Sequence, residues 1–151
     1  MPNHENYFLF SIGVFSSYFL ISGYRSLNFK LEEPNLVVDK SMAIIIVFVG
    51  LAMILYPALF TGKLNIILTV FGFVGVTFGM RDLMLLKDHK KLKEKWIRLH
   101  LGKITGGYIS AVTAFFVVNQ ILPGIWNWFV PSIIGSAYIT YWMIKTNKVN
   151  L

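Results

Sequence analysis

The chain has 151 residues, enough for one domain, of which 56% are hydrophobic and 14% charged, with a net charge of +7. A soluble domain carries about 25% charged residues, so the composition points to lipid rather than a large soluble core, and the absence of Cys excludes disulfides and thiol chemistry. The positive charge lies in short segments beside uncharged runs, so anionic lipid headgroups are its expected partner and nucleic acid is not.

Uncharged runs cover residues 7–24, 41–62, 64–80 and 104–144. The last is too long for one crossing, and Pro123-Gly124 divides it into two segments, each near the ~20 residues that cross a ~30 Å hydrocarbon core. The reading is all-α: an integral membrane bundle of five transmembrane helices in a single domain, 1–151. Helices are expected at about 7–24, 41–60, 64–87, 96–122 and 125–144. The amino end, MPNHEN, has no Lys or Arg before the first apolar run and no cleavage pattern after it, which argues against a cleaved secretory signal.

The first segment carries Gly13, Ser16, Ser17 and Ser22. Such residues are tolerated because a helix satisfies its own backbone in lipid, and they let neighbours approach closely. Residues 25–40 read as a polar loop containing Pro34. The second segment opens with Ile44-Ile45-Ile46-Val47, a strand-like run in water, but its length and lack of alternation decide for helix. Pro57 is expected to kink or end it. Thr61-Gly62-Lys63 makes a turn. The third segment continues to about Lys87, and the chain turns back near 88–91. Leu92, Trp96 and Leu99 recur at helical spacing, so the fourth helix begins before it enters lipid. Pro131 lies inside the fifth.

Thirteen of the fourteen Lys and Arg fall on one side if the amino terminus is outside and the carboxyl terminus inside; only Lys63 falls on the other. The positive-inside bias favours that orientation. Lys87, Lys90, Lys91, Lys93, Lys95 and Arg98, in the basic turn, are the expected lipid-headgroup ligands.

At about 100° per residue, the third segment places Gly72, Gly75, Gly79 and Asp82 on one stripe. The fourth does the same with His100, Lys103, Gly107, Ser110 and Ala114. Small-residue stripes are usually packing surfaces, here ending in ionisable groups. If the stripes face each other, Asp82 meets His100 and Lys103 at one depth. That cluster is either a structural ion pair with a snorkelling lysine, or a proton-handling or ligand-gripping site, since His titrates near neutrality. No cofactor is expected: a b-type haem held across helices usually takes two axial His and only His100 is suitably placed, so a haem would require a Met partner or a second copy. No metal site is expected either, for lack of three or four ligands. Asn119, Gln120 and Asn127 either cap helices or line an outer vestibule, with capping preferred.

The run Trp96-x-x-x-His100, followed by Gly106-Gly107-Tyr108-Ile109-x-Ala111-x-Thr113-Ala114-Phe115-x-Val117-Val118-Asn119, resembles a segment of small uncharacterised bacterial multi-pass membrane proteins. The resemblance covers the fourth helix only, about a quarter of the chain. It implies a bacterial inner-membrane bundle and supplies no catalytic residues. The expected function is therefore an interaction subunit or a small transporter-like bundle, with a homo-oligomer or membrane partner. The alternative is a membrane enzyme or redox carrier using Asp82, His100 and Lys103.

Overall fold

The computed structural model describes residues 4–62 and 65–147; Lys63 and Lys148, both used in the charge count, lie outside the described residues. Among those described, the chain is all-helical: α1 (His4–Arg25), a 3-10 turn (Ser26–Lys30), α2 (Val37–Thr61), α3 (Ile66–Leu85), α4 (His89–Asn119) and α5 (Trp126–Asn147). Three helices are long and apolar enough to cross a membrane: α2 over Val37–Phe60, α3 and α4. Helices α1 and α5, each 22 residues, have the length for a span of about 33 Å.

Helix boundaries follow polar caps rather than the edges of uncharged runs. Asn35 Oδ1 accepts from the Val37 N–H at 3.1 Å, starting α2 four residues ahead of the expected 41. Asn65 Oδ1 accepts from the Ile67 and Leu68 N–H groups at 3.1 and 3.2 Å, so α3 begins at Ile66 and not at 64. Asp88 Oδ1 accepts from the Lys91 N–H at 3.1 Å and starts α4 at His89, seven residues before the expected 96. Each is a side-chain acceptor for an otherwise orphaned helix donor. Pro57 neither ends nor shortens α2, which runs on to Thr61 and stops where Gly62 turns left-handed at φ 64°.

Helix α4 ends at Asn119, short of the expected 122, because its last carbonyls are taken by side chains. Asn119 Nδ2 donates to the Phe115 carbonyl at 2.8 Å and Gln120 Nε2 to that of Val117 at 2.6 Å. Across the Pro123-Gly124 turn, Asn127 accepts from the Leu122 N–H at 2.7 Å and donates to the carbonyls of Leu122 and Gly124. These three side chains are helix and turn caps.

The chain divides into two compact units, one holding the described residues up to Tyr24 and from Ile97 onward, the other Arg25–Trp96. In the second unit α2 and α3 pack antiparallel, as the pairings of Gly50 with Gly72 and of Ala43 with Gly79 require. At the Gly50–Gly72 crossing, a Cβ on either glycine would lie 2.6 Å from the carbonyl oxygen of the other. The expected polar loop 25–40 is an ordered clasp. Arg25 donates from Nε and Nη2 to the two carboxylate oxygens of buried Asp39 at 3.1 and 2.8 Å, and from Nη2 to the Asn35 carbonyl at 2.7 Å. Phe29 and Leu36, in the same segment, are buried.

In the first unit α4 packs antiparallel to both α1 and α5. Gly106 and Gly107 lie on Phe19 and Leu20 of α1, while Ile109 fills the notch at Gly135 of α5. Ile12, Phe15, Tyr18, Phe19, Val117 and Trp128 form its buried apolar core.

Candidate functional site

The three ionisable residues singled out from the sequence fall into the two units: Asp82 in one, His100 and Lys103 in the other. All three lie on helices, and Asp82 and Lys103 are each only 8% exposed.

Asp82 continues the buried stripe of Gly72, Gly75 and Gly79 on α3. Two glycines of that stripe, Gly72 and Gly79, meet α2. Gly72 is filled by Gly50, Met53 and Ile54, and Gly79 by Ala43, Ile46 and Val47. The physical reason is that a glycine notch accepts any backbone that can come close, and α2, joined to α3 by a short connection, brings its own Gly50 and Ala43.

On α4, His100, Lys103 and Gly107 share a face, and that face meets α1. His100 Nδ1 lies 2.7 Å from the Gly23 carbonyl oxygen. A carbonyl only accepts, so Nδ1 carries the proton and Nε2 is the ring atom left for other chemistry. Gly23 sits in the last turn of α1, where helix carbonyls lack intrahelical partners, so the imidazole acts as an interhelical cap. One turn further on, the Lys103 Nζ lies 5.5 Å from the centroid of the Tyr18 ring, and Tyr18 is among the most deeply buried side chains. A cation over an aromatic face gains about 0.5–2 kcal/mol, which offsets part of the cost of withdrawing an ammonium from water.

Ser110 donates to the Gly106 carbonyl of its own helix at 3.0 Å, and Thr113 to that of Ile109 at 2.8 Å. Ser132 of α5 does likewise with Trp128 at 3.2 Å, and Thr77 of α3 with Phe73 at 2.8 Å. The Thr113 and Ser132 hydroxyls also approach each other at 3.4 Å, linking α4 to α5. Ala114, the last member of the α4 stripe, is partly exposed.

Two features escaped the sequence. The Arg25–Asp39 pair is one; its only signal was an Arg closing one apolar run and an Asp in the first turn of the next helix. The other is the partner of His100, a backbone carbonyl and so invisible in any pattern of side chains.

The basic segment is exposed at Lys87, Lys90, Lys91, Lys93, Lys95 and Arg98. Asp88, before α4, has its carboxyl held below the ordinary value of 3.8, first by the backbone N–H of Lys91 and then by that residue's ammonium, 3.1 Å away. Among the described residues, no three of His, Asp, Glu and Cys come together as metal ligands.

Fold and side chains together define an all-helical protein with three helices suited to crossing a membrane and a polar seam between α1 and α4. No family model, no curated protein and no solved structure matches the chain.

Proposed function

We propose that the chain is a multi-pass protein of the bacterial inner (plasma) membrane with a non-enzymatic role, as an interaction subunit or a small transporter-like bundle. It would cross the bilayer five times, amino terminus outside and carboxyl terminus inside. The observation that supports this most is how the polar side chains are used on helices that leave Phe48, Phe73 and Phe115 exposed. The hydroxyls of Thr77, Ser110 and Thr113 and the amide of Asn119 donate to backbone carbonyls of their own helix, while the buried Thr69 hydroxyl has no partner among the described residues. That pattern serves a helix standing in lipid and leaves few groups to line a substrate path. Five helices give little room for a private pathway, so transport would require a homo-oligomer.

One observation favours a second reading, a membrane enzyme or redox carrier working through His100. With Nδ1–H held by Gly23, Nε2 is oriented for proton transfer or for ligating an iron, as second-shell hydrogen bonds do for ligating imidazoles. Gentle detergent extraction separates the two readings. A colourless protein that brings down a stoichiometric partner, or a second copy of itself, supports the first. A haem absorption band lost in His100→Ala supports the second and overturns the first.

A further inference from the structure

We propose that the start of α4 and the 3-10 turn form a shelf for anionic phospholipid headgroups, centred on Trp96 and built from Lys30, Lys93 and Lys95. The inference rests on the membrane reading above, and all four residues belong to one compact unit.

Leu92 is 1% exposed, while Lys93 and Lys95, on either side of that buried line, are exposed. Lys30 reaches the same level from the 3-10 turn, its Nζ 5.5 Å from the centroid of the half-buried Trp96 ring. An indole with a cation over it suits the boundary between hydrocarbon and water, where Trp is enriched. The headgroup layer is roughly 5–7 Å deep on each side of the hydrocarbon.

Along the helix axis, at about 1.5 Å per residue, Lys95 is about 1.5 Å and Lys93 about 4.5 Å from Trp96, both within that layer. Lys90 is about 9 Å away by the same rise, roughly 2–4 Å past the outer edge of that layer, where its attraction for a headgroup is partly screened. Lys87 precedes the helix altogether. Lys91 is paired with Asp88 at 3.1 Å, which cancels most of its attraction for an anion. The basic segment is therefore graded: Lys30, Lys93 and Lys95, with Arg98 about 3 Å from Trp96 by the same rise, contribute most, and Lys87, Lys90 and Lys91 contribute less. Lipid is favoured over nucleic acid because α4 runs on without a break into a segment apolar enough to cross a membrane.

The test uses the full chain in a neutral detergent, with phosphatidylglycerol or phosphatidylcholine added in mixed micelles and thermal unfolding followed by circular dichroism. Phosphatidylglycerol should reach half-effect at the lower concentration, by roughly fivefold per cation engaged. Combining Lys30→Gln, Lys93→Gln and Lys95→Gln should remove most of the preference, and Lys→Arg at the same three positions should keep it. Lys87→Gln with Lys90→Gln should weaken it by clearly less than the triple set does. The shelf is refuted by equal response to both lipids, by equal loss in the two Gln sets, or by an RNA oligonucleotide stabilising as well as phosphatidylglycerol. A chain that stays in solution without detergent would overturn the membrane reading itself, a separate outcome.

Discussion

The crossing of α2 over α3 can be tested by adding one methyl group. A Cβ at Gly72 would meet the Gly50 carbonyl oxygen at 2.6 Å, where ordinary contacts begin at 3.4 Å, so Gly72→Ala must part the helices by about 0.8 Å at that point. Overpacking of this kind costs about 1–3 kcal/mol, and the better helix propensity of Ala returns at most about 1 kcal/mol. With the full propensity gain subtracted, the net expectation is a loss of about 0–2 kcal/mol, and about 1–3 kcal/mol relative to a glycine replaced in open space. Gly13→Ala is the control: nothing lies within 4 Å of the added atom, so only the propensity gain of about 1 kcal/mol remains. Because the Gly50 and Gly72 clashes are relieved by the same movement, Gly50→Ala and Gly72→Ala together should cost less than their sum, by about 1 kcal/mol. Reversible unfolding in mixed detergent, followed by helix content, measures the four variants against the parent. A Gly72→Ala variant as stable as the Gly13→Ala control, or a strictly additive double variant, would refute the close crossing.

His100→Ala should destabilise by about 1–2 kcal/mol through the orphaned Gly23 carbonyl, with His100→Asn recovering part of the loss in the same assay. Arg25→Lys should behave nearly as badly as Arg25→Ala, because an ammonium cannot reproduce the two-pronged contact with Asp39. Both should lose roughly 2 kcal/mol, less than the 3–5 kcal/mol of a fully buried pair, since the Arg25 side chain is 21% exposed. The Asp88 carboxyl is depressed in the folded chain. Its contribution is therefore fully present above the unfolded value near 3.8 and is lost as pH falls through the folded one. An acid titration of helix content should show that component, and Asp88→Asn should remove it.

What the sequence revealed, and what it hid, follows from the range of the interactions. Apolar run lengths gave the five helices and their order, because run length is a local property. Helix starts were misplaced by up to seven residues at α4, since charged Lys90, Lys91, Lys93 and Lys95 are as helical as the apolar residues after them once Asp88 caps the turn. The glycine faces of α3 and α4 were legible by periodicity, but the neighbours filling them were not: a notch carries no address for its occupant. The Arg25–Asp39 clasp joins residues 14 apart through a 3-10 turn, beyond the reach of any helical spacing. His100 was visible as the one His at the basic end of an apolar segment, and its partner was a main-chain oxygen.

Reporter fusions placed after Lys63 and after Lys91 address the membrane topology itself. The five-span reading places the Lys91 junction in the cytoplasm and the Lys63 junction outside, so a reporter active only after export should work at the second and fail at the first. Export of the Lys91 fusion would contradict it.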